Sequence, residues 1–338
     1  ERYVRSLETV ELLSKPGEVF FYSNIGYEVL GHLIAKVAEM SFEDYIKKHI
    51  LIPSGMITST HFKENVPPEL AIAPHLRMLT TSVSDIYPYH RAHAPSSTLH
   101  ASVHEMNSWA IANLNRGHIS DATILNPDSY KELWKIVTQT GRSNQLVHSI
   151  GLGWFLGNHR GRFTVSHSGQ DVGFTSQLIL LPGERAAVTV LCNAAPAPTR
   201  QIALGILDIV FGFEPVPVLP SIIVPLGREY KKGGEEAMKR YYKILQQEAS
   251  SAYDFNPKGI YEVVSALLDS NLNTDAIPLI NLGLEISPEN AEGYEYLARA
   301  NFQMGNFDDA LQCALRSLEI EPNNPFLRQQ IKPLLRDG

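Results

Sequence analysis

The chain is poor in the residues that would place it in a special class. It has two cysteines in 338 residues, Cys192 and Cys313, which fall in segments assigned to different domains. That spacing rules against a disulfide framework and leaves the redox compartment open; both thiols read as small core residues. No apolar run approaches the roughly 20 residues that a membrane-spanning helix needs. Cationic excess is absent as well: 29 Lys and Arg against 36 Asp and Glu give a formal charge of -7, which argues against phosphate-backbone binding and hence nucleic acid as a partner. The chain begins with Glu1 instead of Met and shows no basic segment followed by an apolar one, so its natural beginning is expected further upstream. What remains is an ordinary globular composition, 44% apolar and 19% charged, with enough chain for two domains.

Residues 1–21 read as a polar helical stretch, a Lys15-Pro16-Gly17 turn and a short apolar run through Val19, Phe20 and Phe21. Tyr22-Ser23-Asn24 follows, a phenol and a carboxamide two residues apart. Beyond it Ile25, Val29, Leu33 and Val37 recur every fourth residue, with Leu30 and Ile34 widening the stripe, which predicts a helix with one buried face. Asn24 is placed to cap that helix. Ser41 starts a second helix carrying Phe42, Tyr45, Ile46, His49 and Ile50, closed by Pro53 and Gly55.

From about residue 57 to 100 the sequence turns irregular and rich in Pro, Ser and Thr, as in long loops that rim a site. His90, His93, His100 and His104 lie in or beside it. Their spacing lacks both a helical His-Glu-x-x-His and a partnering cysteine, so no metal is assigned and they read as loop-packing imidazoles. Ser102-Val103-His104-Glu105 reads as a capping box for a helix bearing Met106, Trp109, Ala110 and Leu114, with His104 pointing outward. Candidate strands then follow at Ile150 to Phe155, Arg162 to Ser166, Thr175 to Leu181 and Ala186 to Cys192. The last two are joined by Pro182-Gly183-Glu184, a glycine-bearing tight turn. A helix from Gln201 to Phe211 offers Ile202, Ile206, Ile209 and Val210 to that sheet. Helices around a meander of antiparallel strands define an α+β domain.

The ordered series Pro16-Gly17, Tyr22-Ser23-Asn24-Ile25-Gly26-Tyr27, Pro53-Ser54-Gly55-Met56, Gly151-Leu152-Gly153-Trp154 and His167-Ser168-Gly169 with Gly173-Phe174 resembles the penicillin-recognising serine hydrolases. These are the class C β-lactamases, D-alanyl-D-alanine carboxypeptidases and related serine esterases. The resemblance implies a β-lactamase/transpeptidase-like antiparallel sheet flanked by helices and incomplete at its N-terminus, and acyl transfer through a serine ester. No cofactor is implied. Tyr22 becomes a general base or proton relay, and Asn24 a hydrogen-bond partner of the substrate amide and of a lysine. A phenol titrates near about 10, so it acts as a base only where cations favour its ionised form. His167 stands where many relatives carry Lys and a donor or cation faces the substrate carboxylate; with an ordinary pKa of about 6.5, a charge-dependent role fades near neutrality. Ser168 and Gly169 line the substrate, Gly169 permitting close approach, and the Gln170 N–H is an oxyanion donor. Taken alone, His167-Ser168-Gly169 would be a strand ending in a polar turn; the order of the series favours the functional reading.

The 338 residues contain no Ser-x-x-Lys and no Gly-x-Ser-x-Gly. In the family the nucleophile precedes the Tyr-x-Asn loop, so the resemblance places it upstream of Glu1 and implies that this chain alone is inactive and lacks part of its core. The substrate class is a small molecule or peptide with an ester or amide acyl group. Relatives are usually exported, which implies an extracytoplasmic location. The competing reading is a non-catalytic binding or scaffold protein that keeps the cleft and recruits a partner through its C-terminal part.

That part starts after residue 213. Pro215, Pro217 and Pro220 mark a linker over 214–232, and an all-α domain over 233–338 follows, with a charged helix from Gly233 to Gln247. Pairing residues 257–290 with 291–324 matches Ala276 with Ala310, Ile286 with Ile320, Pro288 with Pro322 and Asn290 with Asn324. This resembles two tetratricopeptide repeats. Asn271 takes the place of Gly305, a left-handed turn position that Asn tolerates. Residues 233–250 and 323–335 are read as flanking or capping helices. The repeats serve either as a structural appendage or as a groove for a protein partner.

Overall fold

Ser23, whose Oγ accepts from the Gly26 N–H at 3.4 Å, starts the first long helix. In the computed structural model, which describes residues 2–142, 144–322, 324 and 327, a short α1 (Arg2–Ser6) precedes it. Helix α2 (Asn24–Ala38) has Asn24 as its first residue, so the cap is Ser23 and the expectation for Asn24 is corrected. The neighbouring serine has the extended backbone that a cap needs, and Asn24 is already helical. Ser41 caps α3 (Phe42–Ile46) as expected, accepting from the Asp44 N–H at 3.1 Å. The face that α2 buries is not the one its periodicity indicates. Glu28 and Gly31 are inward, whereas Ile25, Val29, Leu30, Leu33 and Val37 are between 41% and 78% exposed. Gly31 lies so close to Pro95 that a Cβ would come within 2.2 Å of its ring, so the helix turns its narrow side to the core. Among the described residues nothing covers the apolar stripe.

The chain next makes a hairpin of β1 (His75–Arg77) and β2 (Thr81–Val83). Helix α4 (Val103–Leu114) begins at Ser102, whose Oγ accepts from the Glu105 N–H. Only that half of the capping box forms. The Glu105 carboxylate instead accepts from the Thr58 N–H at 2.9 Å and from Ser59 Oγ at 2.5 Å, pinning a loop far back in the chain. A two-residue pair, β3 (His118–Ile119) with β4 (Ala122–Thr123), and α5 (Ser129–Leu133) lead to the main sheet.

That sheet holds β5 (Thr138–Gln139), β6 (Ser149–Ile150), β7 (Phe155–His159), β8 (Arg162–Asp171), β9 (Phe174–Leu181) and β10 (Ala186–Cys192), in the order β10-β9-β8-β7-β6-β5. Every pairing is antiparallel. Side chains alternate between two cores. Leu156, Val165, Leu178 and Leu180 pack with Ala110 of α4, while Ile179, Leu181 and Val188 pack with Ala203 and Leu207 of α6 (Thr199–Val210). The single strand read over Ile150 to Phe155 is instead the end of β6, a turn and the start of β7. The Gly151 N–H donates to the Trp154 carbonyl, and Gly153 holds φ +78°, a left-handed position open to glycine. Strand β8 runs on past Ser166, so His167-Ser168-Gly169 lies inside a strand and does not end one. In the turn after β9 the left-handed residue is Arg185, at φ 52°, and not Gly183.

Two compact units account for the chain, Glu1–Pro74 with Ser84–Pro217, and His75–Val83 with Val218–Gly338. The β1–β2 hairpin thus belongs to the second unit, although its sequence reads as a loop of the first. Met78 and Leu79 at its tip are buried with Ile222, Ile223 and Leu226. Residues 223–232, read as linker, are helical, forming the first leg of α7 (Ile223–Glu248), which kinks at Gly233 and Gly234. The prolines that suggested a linker stop at Pro220, before the helix starts. Four helices follow: α8 (Pro257–Asp269), α9 (Asn273–Ile286), α10 (Ala291–Gln303) and α11 (Phe307–Ile320). Each boundary of the first pair recurs 34 residues later, since 257, 269, 273 and 286 become 291, 303, 307 and 320. Asn271 and Gly305 both adopt positive φ, at 56° and 82°. The capping helix expected over 323–335 lies outside the described residues except for Asn324 and Leu327. The architecture is α+β with an antiparallel sheet between helices, followed by an all-α tetratricopeptide region.

Candidate active site

Residues far apart in sequence converge where α2 begins and β8 leaves its neighbour. The last pair between β7 and β8 is Phe155 with Ser166, so residues 167–171 are paired by β9 alone and present one edge without a strand partner among the described residues. At this open end the Tyr22 and His167 rings lie 6.3 Å apart, tilted by 40°. Phe155, the first residue of β7, stands 6.3 Å from Tyr22 in a stacked arrangement and 5.3 Å from His167. Tyr22 and His167 are therefore brought together, with a buried phenyl ring as their common floor. Asn24, Ser168, Gly169 and Gln170 are exposed around them, Gln170 in register with Thr175. Among the described residues no hydrogen bond joins Asn24 to the strand.

The protonation of His167 follows from its partner. Nδ1 is 2.8 Å from the Ser168 carbonyl, which can only accept, so Nδ1 carries the proton and Nε2 keeps its lone pair. Desolvation lowers the imidazole pKa below its ordinary value, outweighing the hydrogen bond that favours the charged form. His167 is thus a neutral acceptor at neutral pH and does not reproduce the fixed charge of a lysine. Its backbone is held by Gln177, whose buried amide donates to the His167 carbonyl at 3.1 Å and to the Leu178 carbonyl at 3.2 Å. On the tyrosine side, burial raises the pKa of Tyr27, with a further rise from the charge of Tyr22. The Tyr27 hydroxyl lies only 2.9 Å from where a Cβ of residue 153 would be, which fixes Gly153 under the first turn of α2.

The four loop histidines do separate work. His90 Nδ1 accepts from the Ala92 N–H, His93 meets the buried Glu28 carboxylate at 3.2 Å, His100 stacks parallel to Tyr87 at 5.9 Å, and His104 is exposed. Among the described residues no three His, Cys, Asp or Glu side chains are grouped to hold a metal ion. Sequence reasoning missed Phe155 as the shared floor and Gln177 as the anchor of His167. The strand alternation around each was visible, but the partner in space was not.

An antiparallel sheet with a helix against each face, and Tyr22-Ser23-Asn24 beside an open strand, fit the class of penicillin-recognising serine hydrolases. The Beta-lactamase family profile matches residues 1–210, and the chain belongs to that family. A tetratricopeptide repeat profile matches residues 291–324. Protein flp of Staphylococcus aureus (strain N315) is 31% identical over 196 residues, covering 56% of this chain and 36% of that protein. A penicillin-binding protein of Bacillus subtilis (strain 168) is 26% identical over 197 residues, covering 53% of this chain and 41% of its own length. The octameric penicillin-binding protein homologue from Pyrococcus abyssi superimposes with a TM-score of 0.54 at 28% identity, over 69% of this chain and 51% of that structure. The chain thus spans well under two thirds of the relatives it matches.

Proposed function

We propose that this cleft serves acyl transfer through a serine ester, on a substrate with an ester or amide acyl group. The observation that carries the reading is the meeting of the Tyr22 and His167 rings over Phe155. In this reading the Tyr22 oxygen takes the proton of a serine nucleophile, and Asn24 holds the substrate amide. His167 Nε2, as a neutral acceptor, orients the phenol hydroxyl or the leaving group. Ser168 and Gly169 line an extended substrate along the unpaired edge of β8, and the Gln170 N–H faces the developing oxyanion. A Ser-x-x-Lys segment must complete the cleft, and these 338 residues do not contain one. The uncovered stripe of Ile25, Val29, Leu33 and Val37 runs from the cleft along α2 and is an apolar seat for such a segment. This chain by itself is then catalytically incompetent.

The test is hydrolysis of a chromogenic ester by a protein that carries this chain behind a Ser-x-x-Lys segment, beside Tyr22→Phe and His167→Ala. Both variants should lose at least about tenfold in kcat/KM, the low end for removing a positioned proton-transfer group. Unchanged rates in both would place the site elsewhere. The match to a tetratricopeptide repeat favours a second role for the C-terminal unit, a protein-interaction surface that recruits the hydrolase to a partner. A deletion of 218–338 that leaves ester hydrolysis intact but abolishes partner capture would separate the two roles.

A further inference from the structure

An open cavity of about 390 Å³ lies in the first unit between α1, α2, α3 and the segment 91–95. Tyr3, Ala35, Phe42 and Pro95 give it apolar walls, and two carboxylates, Glu28 and Glu43, stand among them. Tyr22 and His167 are not part of its lining, so this site is separate from the acyl-transfer cleft and does not depend on that reading. The two carboxylates differ in what they still need. Glu43 Oε1 accepts from Arg91 Nε at 2.7 Å, which engages the guanidinium on the lining. Glu28 is 2% exposed, and its two oxygens are unequal. Oε1 accepts from Ser96 Oγ at 2.5 Å and lies 3.2 Å from His93 Nδ1, whereas Oε2 is buried without a hydrogen-bond partner among the described residues. An ionised carboxylate oxygen only accepts, and leaving one buried and unpaired is unfavourable. The missing partner is therefore a donor, and a charged donor binds a carboxylate most strongly. Among the described residues no His, Cys, Asp or Glu cluster is grouped to ligate a metal ion, which leaves an N–H donor.

We infer that this cavity binds a small primary ammonium compound, whose charged nitrogen donates to Glu28 Oε2 while its apolar body rests against Tyr3 and Phe42. Benzylammonium chloride and its uncharged analogue benzyl alcohol are titrated into the isotope-labelled 338-residue chain, following the amides of Gly31 and Glu43 in the cavity wall by NMR. The ammonium should shift both signals at a concentration at least about tenfold lower than the alcohol does, the scale of one charge-assisted hydrogen bond. Potassium chloride at the same concentration should move neither signal. Glu28→Gln keeps the size of the side chain and an acceptor for Ser96, and should weaken the ammonium about tenfold while leaving the alcohol unchanged. Ala35 lines the cavity from α2, so Ala35→Met fills it with both carboxylates in place and should remove the response to both probes. That variant carries the test by itself if far-UV circular dichroism shows Glu28→Gln unfolded. Equal responses to ammonium and alcohol, or an ammonium response unchanged in folded Glu28→Gln, overturn the role of Glu28. A response that survives Ala35→Met places the ligand elsewhere, and an equal response to potassium overturns the organic class of ligand. No response to the ammonium overturns the inference outright.

Discussion

Asp208 ties the turn of the β7–β8 hairpin to α6, and its replacement tests whether that contact steadies the strand bearing His167. Its carboxylate accepts from His159 Nε2 at 2.7 Å, from Arg160 Nε at 3.1 Å and from Arg160 Nη2 at 3.0 Å. His159 and Asp208 are 4% and 3% exposed, so neither regains water when the other is removed. Losing a hydrogen bond to a charged acceptor costs about 1.5–3 kcal/mol. The Arg160 guanidinium is partly exposed and finds solvent, leaving His159 without the acceptor of its Nε2–H. With a urea dependence of about 2 kcal/mol per molar, Asp208→Ala should lower the unfolding midpoint by about 1 M. Tryptophan fluorescence reads this selectively, since Trp109, Trp134 and Trp154 are the three tryptophans of the chain and all lie in the first unit. The Arg160 hydrogen bond, with help from His159 and against the effect of burial, holds the Asp208 carboxyl below its ordinary pKa. A carboxyl with a depressed folded pKa stabilises above its unfolded value of about 3.9 and loses that contribution as pH falls through the folded one. The midpoint gap between the two proteins should therefore be full at neutral pH and shrink in strong acid. A gap under about 0.3 M at neutral pH, or one unchanged by acid, would refute the reasoning.

Glu105→Gln should destabilise the first unit by about 1.5–3 kcal/mol at neutral pH, the scale of hydrogen bonds to a charged acceptor. Burial pushes this carboxyl up, but the bonds donated by Ser59 and Thr58 outweigh it and bring its pKa below the ordinary value. The effect should consequently fade as pH drops below about 4, read by the same fluorescence. In the second unit, a Cβ on residue 283 would come within 2.6 Å of the buried Tyr261 hydroxyl. Gly283→Ala should then cost about 1–3 kcal/mol of overpacking against about 1 kcal/mol gained in helix propensity. Far-UV circular dichroism should show the loss while tryptophan fluorescence does not.

The parts of this fold that were legible in the sequence are those specified by neighbours along the chain. The 34-residue recurrence gave both repeat pairs, because helix boundaries are set by local turn residues such as Asn271 and Gly305. Ser41 and Ser102 announced their helices for the same reason. Other features depend on contacts that no local pattern encodes. Periodicity shows which face of α2 is apolar but not what covers it, so its exposure was invisible. Glu105 matches a capping box equally well whether it reaches its own helix or Ser59. The tip of the β1–β2 hairpin looks like loop until Met78 and Leu79 are seen in a distant core. Tyr22 and His167 were named from family order, and the structure brings their rings together, whereas the contacts of Phe155 and Gln177 emerge only through strand register.

We propose that Tyr22 and β8 wall a serine hydrolase cleft whose nucleophile comes from a Ser-x-x-Lys segment, a motif that these 338 residues do not contain. Intact-protein mass spectrometry after incubation with a β-lactam reads this directly. The 338-residue chain should show no added mass, while a longer protein that includes an upstream Ser-x-x-Lys should gain one ligand on that serine. A stoichiometric adduct on the 338-residue chain would contradict the claim, as would a longer reading frame without the motif.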